Sequence, residues 1–242
     1  MKRKENTPEE KNIRTRETEK SKYTVSDVKK EDLEIYLRYA EVYGRKTFPD
    51  TSPEAVLSDL GLAEDGVLLN AGADIFIDDG TNALQINHFA SDYRITYLHN
   101  IRSTGPMLSI TDEALRYVID KMDWRVEFDG SLERKEIPEV PVSAVRRAVV
   151  NAFVHRDIES GKAVELKFFK NFIDIHSPGE DPDRNPLIAR ALTFPGEDFA
   201  HIGSECEKAG VKVEFNRDSS GLTIRFYRHC GKEWAWSANP YV

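Results

Sequence analysis

Apolar and polar positions alternate with clear periods along most of the chain. Leu33, Leu37, Ala40 and Tyr43 recur at helical spacing and predict a helix over 31–43, with Gly44 as its stop. A second short helix is predicted behind Thr51, Ser52 and Pro53, ending at Gly61. Residues 67–99 read as strands centred on Ile75-Phe76-Ile77, Leu84-Gln85-Ile86 and Ile95-Thr96-Tyr97. Met107, Ile110, Ala114, Val118 and Met122 form one helical stripe, and Asp123 to Phe128 reads as a strand.

Pro138 and Pro141 punctuate a linker. Behind it, Val145, Ala148, Val149 and Ala152 predict a helix over 143–155, with Ser143 as its cap. Strands follow around Val164–Phe168 and Ile173–Ile175, then helices over 185–192 and 197–209. A closing hairpin pairs Val211, Val213 and Phe215 with Leu222, Ile224 and Phe226. The order predicts an α+β fold, with helices on one face of a largely antiparallel sheet. Four parts are expected: a disordered charged lead-in (1–24), an α+β middle domain (25–140), a helix/antiparallel-sheet sandwich (141–230) and a tail (231–242).

Charge refines this outline. The chain carries net −8, yet residues 1–22 hold eight basic and five acidic side chains, leaving net −11 for the rest. So acidic a body argues against nucleic-acid binding, although the basic lead-in could touch phosphate. That lead-in has only Met1 and Ile13 as sizeable apolar residues, too few to offset the entropy of ordering it. There is no apolar run of membrane-spanning length, and the charged N-terminus is no secretory signal. A cytoplasmic protein is expected. Cys206 and Cys230 form no metal-binding pattern. Trp234 and Trp236 read as a tail that docks on the body or on a partner.

His155-Arg156-Asp157 opens like a kinase catalytic loop, but Lys162 stands where that loop needs Asn, and no glycine-rich phosphate loop accompanies it. Arg147, Asn151 and His155 fall at i, i+4 and i+8 and form a polar line on one helix. That line could face a ligand, since an Asn carbonyl can hold Mg²⁺ and a His can donate to phosphate. It can equally be the solvent side of an amphipathic helix, and periodicity alone favours that reading.

Ordered motifs add a family resemblance. The run Arg146-Arg147-Ala148-Val149-Val150-Asn151-Ala152-Phe153-Val154-His155-Arg156-Asp157 resembles the signature R-E-A-[LVI]-x-N-A-x-x-H-R-D. Ile173 to Gly179 resembles I-x-I-x-S-P-G, and Arg184-Asn185-Pro186-Leu187-Ile188-Ala189 matches R-N-P-L-I-A. Leu68 to Gly72 and the Gly105 region resemble the middle segment of the same family. Together these span about residues 31–228 and resemble the Schlafen AlbA / RecG-like family of ATP-binding or transcriptional-regulator proteins.

The resemblance implies a C-terminal domain like the GHKL ATPases, with ATP and Mg²⁺ as cofactors. Asn151 would hold the metal. His155, Arg156 and Asp157 would lie near the phosphates, Asp174 to Gly179 would form the turn under the adenine, and Arg184 and Asn185 would open an anion-favouring helix. Three departures weaken that site. Arg147 replaces the family's Glu and, being permanently protonated, cannot act as a base. Only four residues separate Gly179 from Arg184, where a longer lid is usual. Ile202-Gly203-Ser204 lacks most of a phosphate cradle's glycines. The N-terminal AlbA-type domain is expected to be missing, save a remnant within 1–30.

The expectation is therefore a degenerate nucleotide-binding module of a transcriptional regulator, with weak or lost ATP and Mg²⁺ binding and no catalytic residue. It would act through a protein partner or as a homodimer. An active Mg-ATPase associated with helicase function would instead need Asp157 or Glu159 as its water-orienting carboxylate. The third alternative is a DNA-binding protein.

Overall fold

The computed structural model describes residues 16–44, 46–128, 134–179, 184–193 and 199–228. Outside them lie the start of the lead-in, the 180–183 link, the beginning of the helix predicted from Glu197, and the tail with Cys230, Trp234 and Trp236.

The chain enters through a 3-10 turn (Arg16–Thr18) and β1 (Lys20–Thr24), then α1 (Lys30–Gly44) and α2 (Pro53–Asp59). Ser52 caps α2 by accepting from the Ala55 amide at 3.4 Å, with Pro53 in the first turn. β2 (Ala63–Glu64), β3 (Val67–Leu69) and α3 (Asn70–Phe76) complete the N-terminal layer, followed by β4 (Ala83–Phe89), β5 (Tyr97–Thr104) and α4 (Met107–Lys121). A hairpin of β6 (Trp124–Phe128) and β7 (Arg134–Pro138) leads to α5 (Val142–Val154). The rest is β8 (Val164–Phe168), β9 (Phe172–Pro178), α6 (Pro186–Leu192), α7 (Phe199–Lys208), β10 (Val213–Asp218) and β11 (Gly221–Tyr227).

The fold is α+β. Its centre is a six-stranded sheet in the order β10-β11-β9-β8-β4-β5, antiparallel except where β4 runs parallel to β8. Helices α4 and α5 pack on one face. Ser177 on β9 donates to the Ala152 carbonyl of α5 at 2.8 Å, which fixes that face. The closing hairpin forms as predicted, with Phe215 opposite Ile224 and Val213 opposite Phe226, while Val211 lies before β10 and Leu222 faces Arg217.

The boundary predicted at 140/141 does not divide the structure. β4 lies before it and β8 after it, yet they pair from Leu84↔Val164 to His88↔Phe168, and one apolar core runs from Val25 to Phe226. Sequence spacing could not reveal this pairing, because about 75 residues of chain intervene.

The segment around Ile75-Phe76-Ile77 is helical rather than extended. Ala71 to Phe76 are all buried, and Gly72 lies so close to Leu62 that a Cβ there would stand 2.6 Å from its carbonyl oxygen. Burial on every side removes the polar alternation that distinguishes helix from strand, so local β-propensity misleads. The strand predicted around Ile95-Thr96-Tyr97 begins at Tyr97. Helix α5 starts one residue before Ser143 with Pro141 in the cap position, and the Ser143 hydroxyl donates to Glu205 at 2.8 Å instead.

The lead-in is ordered from Arg16 onward. β1 pairs with β3, Arg16 makes a bidentate contact to buried Asp74 at 2.6 and 3.0 Å, and Glu17 is buried against α6. Polar contacts more than 50 residues away in sequence hold this segment, so counting its apolar residues misses them. Among the described residues, no helix is long and apolar enough to cross a membrane.

Candidate functional site

Every residue expected at a nucleotide site lies on or near α5, β9 and the start of α6, but they do not all face the same space. Asn151, His155 and Gly179 line one cavity with Ala152, Ile175, Ser177, Phe199, Arg217, Leu222 and Ile224. Its floor is β9 and β11, and α5 and α7 wall it. The space open to the centre of a water molecule is about 10 Å³, about what a single water needs.

Asn151 is buried, and its amide donates to the Arg147 carbonyl one turn earlier at 2.8 Å. His155 caps α5, its backbone amide bonding the Asn151 carbonyl at 3.0 Å. Its ring lies 6.3 Å from that of Phe199. Arg147, which stands where the family carries its Glu, forms a 2.5 Å ion pair with Glu205 on α7. Glu205 also accepts from Ser143. The polar line of α5 thus neither faces solvent nor frames an open ligand site; it fastens α7 over the helix.

The remaining candidates hold the turns around this cavity. The Asp157 amide donates to the Pro178 carbonyl at 2.6 Å, and its carboxylate accepts from Arg184 at 2.8 Å. Glu159 stands 4.0 Å from the same guanidinium. Both carboxylates that could have replaced a catalytic base are thereby drawn towards Arg184. Gly179 adopts φ +119°, and a Cβ there would lie 2.9 Å from the Asp157 Cβ, so glycine is required. Asn185 is buried and donates to the Val154 and Arg156 carbonyls at 2.8 and 2.9 Å, closing the C-terminal end of α5.

Asp174 is placed differently. Ile173, Ile175 and Ser177 face α5, so strand alternation turns Asp174 to the opposite face of the sheet. There it is buried in a bidentate pair with Arg225, both contacts at 2.7 Å. It does not reach the cavity of Asn151.

The N-terminus of α6, where the resemblance implied a ligand anion, is taken by a carboxylate of the chain itself. The Glu17 carboxylate accepts from the Leu187 amide at 2.9 and 3.0 Å and from Ile188 at 3.3 Å. Arg156 is fully buried and donates to the Thr81 and Lys162 carbonyls and to Asn82. Burial pushes its guanidinium down to about 10, which leaves it charged at neutral pH. It is a strut between the end of α5 and the approach to β4. Sequence reading missed Glu205, Phe199 and Glu17 as members of this region. No local pattern marks them, because each acts across more than 40 residues of chain.

Mg-ATP does not fit these residues as arranged. Asn151, expected to hold the metal, donates to its own helix; Arg147 is salt-bridged to Glu205; Asp174, expected under the adenine, pairs with Arg225 behind the sheet; and the space open to the centre of a water molecule is about 10 Å³. The described residues hold no group of three or more His, Cys, Asp or Glu suited to a metal.

The site defines an α+β module whose helix layer is closed over the sheet. The chain is similar in structure to the DIP2311 protein from Corynebacterium diphtheriae, with a TM-score of 0.69 over 88% of this chain at 18% identity. It spans 47% of the length of that protein, and the likeness is one of fold. No family model and no curated protein matches the chain.

Proposed function

We propose that this chain is a GHKL-like module without ATP turnover, belonging to a regulatory protein of the transcriptional-regulator type and acting through contacts with other proteins. The observation that carries the reading is the Arg147–Glu205 pair, which joins α7 to α5 where a nucleotide site would need a free carboxylate and open space. An Arg cannot deprotonate or orient an attacking water, and its partner carboxylate is neutralised by the pair. Asn151, Arg156 and Asp157, which carry the resemblance to the nucleotide-binding motif, each make a hydrogen bond within the chain at or beside α5.

Titration calorimetry with a nonhydrolysable ATP analogue and Mg²⁺ tests the proposal. The expected result is no binding heat at millimolar ligand, for the wild-type chain and for Asn151→Ala alike. Micromolar binding abolished by Asn151→Ala would mean that a nucleotide pocket survives, and ATP hydrolysis by the wild-type chain in a turnover assay, run beside Arg147→Glu, would then overturn the proposal.

A further inference from the structure

Among the described residues, β10 and β5 form the two edges of the six-stranded sheet, and they differ in chemistry. β10 carries Glu214, Arg217 and Asp218 among its six residues. Charged side chains of this kind keep a strand edge from pairing with another chain. β5 is longer, at eight residues, and carries one charge, Arg102. No charged residue occurs from Ile95 to Ile101. This uncharged stretch is rich in β-branched and aromatic residues, the composition that pairs most readily.

The same edge exposes apolar side chains. Tyr93 is 72% exposed, Ile95 79% and Leu98 56%, and Tyr97 and Ile101 are also exposed. These five exposed residues lie within nine positions of one another, on the edge strand and the loop that leads into it. The strand pairs along β4 from Ala83↔Thr104 to His88↔His99, then shifts register before Phe89↔Tyr97 so that Leu98 has no partner on β4, and His99 bonds the Tyr117 hydroxyl of α4 at 2.7 Å.

We infer that β5 is the interface between two copies of this chain, which join antiparallel across a two-fold axis into one continuous twelve-stranded sheet. A two-fold interface must use one patch that complements itself. β5 does so: with the axis at Asn100, Arg102 faces Leu98 of the second copy, and with the axis at Ile101 it faces Asn100. In neither register do like charges oppose. With almost no charge of its own, the strand carries nothing that selects an oppositely charged partner.

The test is sedimentation of the full chain from micromolar to submillimolar concentration, beside the double variant Ile95→Lys/Leu98→Lys and the control Val42→Lys on α1. The wild type and the control are expected to approach twice the 27.6 kDa chain mass, and the double variant to stay at one chain mass with an unchanged melting temperature. A wild type that remains monomeric throughout overturns the inference and leaves the edge for a different partner. So does a dimer that survives the double variant. If the double variant fails to fold, hydrogen exchange of the wild type decides. Protection of the Tyr97–Thr104 amides that rises with concentration supports the interface, and protection independent of concentration refutes it.

Discussion

Glu17→Ala should destabilise the fold well beyond what a residue in a charged lead-in would. The residue in the cap position of α6, Asn185, spends its amide on the Val154 and Arg156 carbonyls, so it gives the helix no side-chain cap. Glu17 fills that role from 170 residues away, accepting from Leu187 and Ile188. Loss of a helix cap costs about 1 kcal/mol, and a buried donor left without an acceptor costs about 1–3 kcal/mol. The charge itself is not the source of the gain. Burial outweighs the backbone hydrogen bonds and lifts the Glu17 carboxyl above its ordinary value. The acceptor is what matters, and the net loss for Ala is about 2 kcal/mol. In a chain of this size that corresponds to a fall in melting temperature of roughly 4–8 °C. Glu17→Gln retains one acceptor oxygen and removes the buried charge, so its loss should be below about 1 kcal/mol. Thermal unfolding followed by circular dichroism measures both. A Glu17→Ala protein that melts within about 1 °C of the wild type refutes the reasoning, as does a Gln variant that is equally damaged.

Two further outcomes follow from the same contacts. A double-mutant cycle on Arg147 and Glu205, both largely buried, should give a coupling of about 1–2 kcal/mol in urea unfolding, above the ~0.2–1 kcal/mol of exposed pairs. Arg147→Glu alone should be worse than Arg147→Ala, and the swap Arg147→Glu/Glu205→Arg should recover most of the loss; a coupling within error of zero would remove the proposed fastening of α7. His88 and His176 are both held below their ordinary value, chiefly by burial. The unfolded chain then binds more protons than the folded one, so stability falls as pH drops below the ordinary imidazole value near 6.5 and levels off beneath the depressed folded values. Urea midpoints between pH 8 and 5 should show this slope, and His88→Gln should flatten it; an unchanged slope in that variant would assign the effect elsewhere.

The periodic segments were legible from the sequence. The stripes of α4 and α5, the capped start of α2 and the presence of the β10–β11 hairpin depend on neighbours a few residues apart, and spacing records them. Asn151 and His155 from the α5 motif and Gly179 from the β9 motif line one cavity. Tertiary structure alone decided what those residues do. Strand alternation turned Asp174 to the far face, where Arg225 holds it. Glu205 arrived from α7 to occupy Arg147, and Glu17 arrived from the N-terminal segment to occupy the anion position of α6. The pairing of β4 with β8 merged two expected domains into one sheet. The physical reason is common to all of these. Periodicity reports which side of an element is apolar, but charge pairs and sheet seams join surfaces far apart in the chain, and only the folded arrangement brings them within bonding distance.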